Sequence, residues 1–148
     1  MRIWIRIVDE ILQPFVVDIT FTVSHRHNVL VKGEARARRF IEDAPDVVSR
    51  ERRHGWIYGG YGSEVVRQAV DKYRKTLAQM DEELTHRLWL AGETFSLADI
   101  GVIPYINRLH MLNIDSMWQN RNPRVADWFE RFRARDSFIP GIEEHLPK

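Results

Sequence analysis

The chain has 148 residues, 44% of them hydrophobic and 29% charged, with 22 Lys and Arg against 21 Asp and Glu. This size and balance predict one globular domain with its own core, and a formal charge of +1 gives no electrostatic pull toward nucleic acid or an anionic membrane. The absence of cysteine excludes a disulfide scaffold, a thiolate metal site and a cysteine nucleophile, and suits a reducing cytoplasm.

No stretch approaches the roughly 18 uninterrupted apolar residues of a membrane span. Arg6, Asp9 and Glu10 break the apolar run at the start, so it does not read as a signal peptide, and the expected location is the cytoplasm. Ile3, Trp4, Ile7, Val8, Ile11, Leu12, Phe15, Val16 and Ile19 recur at the three-and-four spacing of one helix face. No capping residue precedes them, as if a segment upstream were missing or had never been there. From residue 15 the signals conflict. Phe15, Val17, Ile19, Phe21 and Val23 alternate with Val16, Asp18, Thr20, Thr22 and Ser24, and Pro14 discourages a continuing helix. On these residues alone the stretch reads as a strand.

Residues 28–62 carry no clean period, apart from a short helix expected near Glu34 to Glu42 on Ala and Arg content. Tyr58-Gly59-Gly60-Tyr61-Gly62 is a loop, without the Gly-Lys-Ser/Thr ending of a phosphate cradle. A second long helix is predicted from a Ser63 cap to about Arg87, its stripe formed by Val65, Val66, Ala69, Val70, Tyr73, Leu77, Met80 and Leu84. Leu90-Ala91-Gly92 then breaks the period.

The most specific local signal is Phe95-Ser96-Leu97-Ala98-Asp99-Ile100. Ser96 is placed to cap a helix, Asp99 to reach back to the Ser96 amide, and Phe95 and Ile100 to clamp as a hydrophobic staple. In the helix that follows, Ile100, Ile103, Ile106, Leu109, Met111 and Leu112 predict an element buried on more than one side, bent at Pro104. Asn122-Pro123 reads as a cap and first position of a last helix bearing Val125, Trp128, Phe129 and Phe132. Residues 137–148, with Pro140, Gly141 and Pro147, are expected to be irregular.

This order of features, with Trp89 to Ile100 between two long helices and an Asn122-Pro123 aromatic helix, resembles the all-helical C-terminal domain of cytosolic glutathione S-transferases. The resemblance covers nearly the whole chain and is strongest over residues 88–138. It implies an all-α bundle, and one long helix from Trp4 to His27 in place of the strand at 15–25. It also implies that the chain lacks the N-terminal thioredoxin-like domain, which activates the thiol of glutathione, the family's co-substrate. By the same resemblance, Trp4, Val8, Ile11 and Phe15 on the first helix and Tyr105 and Leu109 on the central one wall a pocket for a small, flat, apolar electrophile. A homodimer through the first two helices is implied too. The alternative is a non-catalytic interaction module, since similar helical domains serve as docking pieces in translation-factor and tRNA-synthetase assemblies.

No residue of this chain is assigned a catalytic role. Tyr58, Tyr61, Tyr73 and Tyr105 are candidates for holding a thiolate by residue type alone. His25 and His27 point in different directions on a helix, His54, His86, His110 and His145 are scattered, and no metal site is expected. Glu82-Glu83 and Glu143-Glu144 read as solvated faces. Arg36, Arg38, Arg39, Arg50, Arg52 and Arg53 make a basic patch that Glu34, Glu42, Asp43, Asp46 and Glu51 cancel. Of the 22 basic residues 18 are Arg, a bias that is either compositional or reflects arginines recruited for anions.

Overall fold

The structure is a computed structural model that describes residues 2–141. Among these there is no β-strand, only an isolated antiparallel bridge between Trp89 and Gly92, and the fold class is all-α. The contacts divide into two compact groups, one formed by residues up to Glu10 with those from Arg74 onward, the other by Ile11–Tyr73.

The first group contains α1 (Arg2–Ile7), the later turns of α6 (Glu64–Glu83), α7 (Leu97–Met111), α8 (Pro123–Arg133) and α9 (Phe138–Gly141). The central helix α7 buries Ala98, Val102, Ile106 and Leu109 on one row and Asp99, Ile103 and Asn107 on the next. Ile100, part of the expected apolar stripe, falls at the outer edge of the second row and is 48% exposed. Pro104 lies inside α7 on its exposed side, so the carbonyl it leaves without a donor faces solvent. Asn122, expected to cap α8, makes no side-chain cap bond. Asp81 of α6 does this instead, its Oδ1 accepting from the backbone N–H groups of Arg124 (2.9 Å) and Val125 (3.3 Å). A carboxylate at a helix start meets both its unpaired donors and its positive dipole end. The four residues of α9 are helical where an irregular tail was expected; the rest of that tail, 142–148, lies outside the described residues.

The Ile11–Tyr73 group contains α2 (Gln13–Thr20), α3 (Arg26–Leu30), α4 (Glu34–Glu42), α5 (Val47–His54) and the first turns of α6. Two π-helical turns, Val8–Leu12 and Phe21–His25, flank α2, so the stretch that alternates like a strand is helical throughout. Burial explains this: Leu12, Asp18, Ile19 and Thr22 are inside, a three-and-four spacing, while Val17 of the alternating set is 43% exposed. Pro14 falls where the Val8–Leu12 π-turn passes into α2, a place where the helical hydrogen bonding is already irregular. Sequence reading left α5 unfound. Its start is capped by Asp46, whose Oδ1 accepts from Ser49 N at 2.7 Å.

Asp18 organises this group. It is 1% exposed, and its carboxylate accepts from Arg52 Nε (3.1 Å), Arg52 Nη2 (3.0 Å) and Trp56 Nε1 (2.8 Å), while Arg52 Nη2 also reaches the Pro14 carbonyl. Trp56 and Phe40 both stack on Phe21, at 4.7 and 5.0 Å between centroids. Burial pushes the Asp18 carboxyl above its ordinary value, against the opposing pull of Trp56 and Arg52. A folded pKa above the unfolded one means that this group's contribution to stability is complete below the unfolded pKa and is lost as pH rises through the folded one. Arg52→Leu should cost about 2–4 kcal/mol near pH 8, because it strands a buried charge. The loss should shrink at pH 5, because the raised pKa brings Asp18 closer to its neutral form there. Urea unfolding of both proteins at the two pH values checks this, and an equal loss at both would contradict it.

Candidate functional site

The segment before α7 is held by one side chain. Asp99 is fully buried, and Oδ1 accepts from Leu90 N (3.0 Å) and Trp128 Nε1 (2.9 Å). Oδ2 accepts from Ser96 N and Ser96 Oγ, both at 3.0 Å. Ser96 Oγ in turn accepts from Ala98 N, so the helix start is capped reciprocally. Trp4 joins the same network from α1, its Nε1 donating to the Leu90 carbonyl at 2.8 Å. Sequence reading found Ser96 and Asp99 but not Leu90 or Trp128, which lie 9 and 29 residues from Asp99. Phe95 packs edge-on against Trp89 and Phe132 and lies under the Arg135 guanidinium at 3.8 Å, while Ile100 is half exposed.

The expected pocket residues take different positions. Trp4 (1% exposed) and Leu109 (0%) are core side chains. Val8, one turn after Trp4, and Tyr105, one turn before Leu109, are half-buried. Helices α1 and α7 pack on one another, and Val8 faces Gly101, where an added Cβ would lie 3.8 Å from Val8 Cγ2. Tyr105 is one turn beyond Gly101 on the same side of α7. Burial, with the negative charge of Asp9, raises its phenol pKa, so at neutral pH it is a neutral hydrogen-bond donor. Ile11 and Phe15 are half-buried in the Ile11–Tyr73 group.

The other tyrosines have partners or lie in the open. Tyr58 donates to Glu34 Oε1 at 2.7 Å, a bond that raises its pKa, and Tyr73 is buried and donates to the Leu12 carbonyl at 2.9 Å. Tyr61 is 66% exposed. His25 Nδ1 lies 2.7 Å from Ser24 Oγ, and among the described residues no three His, Asp or Glu side chains converge as metal ligands. His145, Glu143 and Glu144 lie outside the described residues. The arginine-rich segment is largely engaged internally: Arg38 with Glu34, Arg39 with Asp43, Arg52 with Asp18 and Arg53 with the Phe40 carbonyl.

Residues 63–131 match the family described as "Glutathione S-transferase, C-terminal domain". The tetrachloro-p-hydroquinone reductive dehalogenase of Sphingobium chlorophenolicum is 29% identical over 74% of this chain and 46% of its own length. Glutathione S-transferase stcT of Emericella nidulans is 30% identical over 50% of this chain and 34% of its own length. The chain thus spans less than half of these relatives. The crystal structure of β-etherase LigF from Sphingobium sp. strain SYK-6 superposes with a TM-score of 0.75, covering 97% of this chain and 60% of that one at 21% identity, which establishes the shared fold.

Asp99→Ala should destabilise by at least about 3 kcal/mol, from a lost cap (roughly 0.5–2) and buried donors left unpaired (roughly 1–3). Trp128→Phe, which removes one donor and keeps most of the ring, should cost about 1–2 kcal/mol. Thermal melting checks the order. If Asp99→Ala melts within a degree of the unaltered protein, Asp99 does not hold this segment.

Proposed function

We infer that this chain, a glutathione S-transferase C-terminal domain, forms the electrophile-binding wall and the dimer surface of a glutathione-conjugating protein. The observation that carries the reading is the α1–α7 face. There Val8 and Tyr105 stay half-exposed, each one turn from a fully buried anchor, Trp4 or Leu109. A rigid, apolar surface with one neutral donor suits a flat aromatic carrying a polar substituent. The Sphingobium chlorophenolicum relative is named for a chlorinated aromatic, and we assign the substrate to that class.

Conjugation also requires glutathione held as thiolate by a nearby donor. Tyr58 and Tyr73 are already engaged with protein acceptors, and the pKa of Tyr105 is raised. From the family resemblance we assign the thiol-activating group to a thioredoxin-like domain outside these residues. Ile3, Ile5, Leu97 and Ile100 on α1 and α7 are each roughly half exposed or more, an apolar surface that such a domain or a second copy would cover.

The chain alone should not accelerate the reaction of glutathione with a chloronitroaromatic. Joined to a thioredoxin-like domain it should, and Val8→Ala with Tyr105→Ala should then raise KM for the electrophile several-fold while leaving KM for glutathione unchanged. Turnover by the chain alone, or unaltered electrophile kinetics in the double variant, would overturn the reading. Light scattering at tens of micromolar should report about twice 17.6 kDa, and a monomer at that concentration would remove the dimer surface from the proposal.

A further inference from the structure

A cleft of about 260 Å³ opens beside α6, lined by Arg74, Ser116, Met117 and Arg121. It shares no residue with the proposed electrophile wall: none of Trp4, Val8, Tyr105 or Leu109 lines it. Its position follows from α6. Asp81 and Arg74 are seven residues apart, two turns along one side of the helix. Asp81 is used up in capping α8 and pairing with Arg124, at 3.4 Å. Arg74 meets the turn Asp115–Met117 and the segment leading to α8.

The arginines of this protein are mostly engaged. Thirteen of the eighteen have a carboxylate, carbonyl or aromatic partner, or another interaction, among the described residues. Arg74 and Arg121 belong to the five that have none, and these two line one cleft. Among the described residues neither arginine forms an ion pair. Asp115 turns its carboxylate to His110 Nδ1 at 2.7 Å, and Asp71, one turn before Arg74, makes no ion pair with a described residue. Both arginines are exposed, and two like charges at the rim of one solvent-open depression give it a local positive potential that favours a small anion.

We propose that this cleft binds a small phosphate group, with Arg74 and Arg121 supplying the charge and Ser116 Oγ a neutral donor. Two guanidinium forks present planar pairs of N–H donors that match phosphate oxygens, and together they balance a dianion. Free phosphate and a phosphate monoester share this chemistry.

The test uses the whole chain, titrated with inorganic phosphate and separately with phenyl phosphate, at constant ionic strength set by chloride and followed by calorimetry. Saturable binding of one equivalent is expected, weakened at least tenfold in Arg74→Gln and in Arg121→Gln and abolished when the two are combined. Arg74→Lys, which keeps the charge but loses the fork, should fall between. Ser116→Ala should lose about threefold. Arg36→Gln and Arg50→Gln, at two other unpartnered arginines outside the cleft, should leave binding unchanged, and circular dichroism verifies that each variant is folded. Tighter binding of inorganic phosphate identifies the free ion as occupant, and tighter binding of phenyl phosphate identifies a monoester. Absence of saturable binding below tens of millimolar, or equal binding by the folded Arg74→Gln/Arg121→Gln double variant, would overturn the proposal.

Discussion

The Asp99 carboxylate, buried without any cation beside it, accepts four hydrogen bonds from three separate places in the chain. A buried charge is tolerable only when polar donors replace its lost water, and here each oxygen receives two. The bonds from Ser96 start α7, the bond from Leu90 fixes the turn before it, and the bond from Trp128 ties α8 to both. Trp4 extends the set to α1 through the Leu90 carbonyl. The turn between Trp89 and Gly92 closes with two backbone bonds, and Gly92 has φ 150°, a backbone conformation few side chains adopt. The placement of Val8 against Gly101, and so of the face proposed as the electrophile wall, depends on α1 and α7 being held in this way.

A second buried aspartate plays a comparable part among Ile11–Tyr73, with a different balance of forces. Asp18 also accepts from an indole N–H, but its other two bonds come from the single guanidinium of Arg52. Arg52 is partly exposed, and a wet cation compensates burial less fully than a buried one. The raised pKa of Asp18 reflects that shortfall. Sequence patterning hides this aspartate, since it falls on the polar side of an apparent strand alternation, yet it is among the most buried polar groups in the protein.

The two proposed sites differ in surface chemistry. The α1–α7 face is apolar with one neutral phenol, and suits an aromatic. The cleft beside α6 is cationic, and suits a phosphate. The basic run of α4 and α5, by contrast, spends most of its charge on Glu34, Asp43, Asp18 and a backbone carbonyl, and of its six arginines only Arg36 and Arg50 have no partner among the described residues.

Local signals determined the elements whose causes are local. Ser96 with Asp99, Ser63 before α6, and the apolar periods of α1, α6 and α8 are short-range patterns, and together they specify an all-α chain with its central helix and its family resemblance. Tertiary structure decided what depends on distant partners. Whether residues 15–25 form a strand or a helix turned on which side chains found a core to enter, because both periods are present in the same residues. Asp81, not Asn122, caps α8, because a carboxylate 43 residues away reaches its free amides. Trp4 has a core position because its indole N–H meets the Leu90 carbonyl, 86 residues on, and Val8 and Tyr105 are left at the surface. A periodic stripe states which residues face inward, but it holds no information on which of them will be covered. Only the packing of one helix on another supplies that.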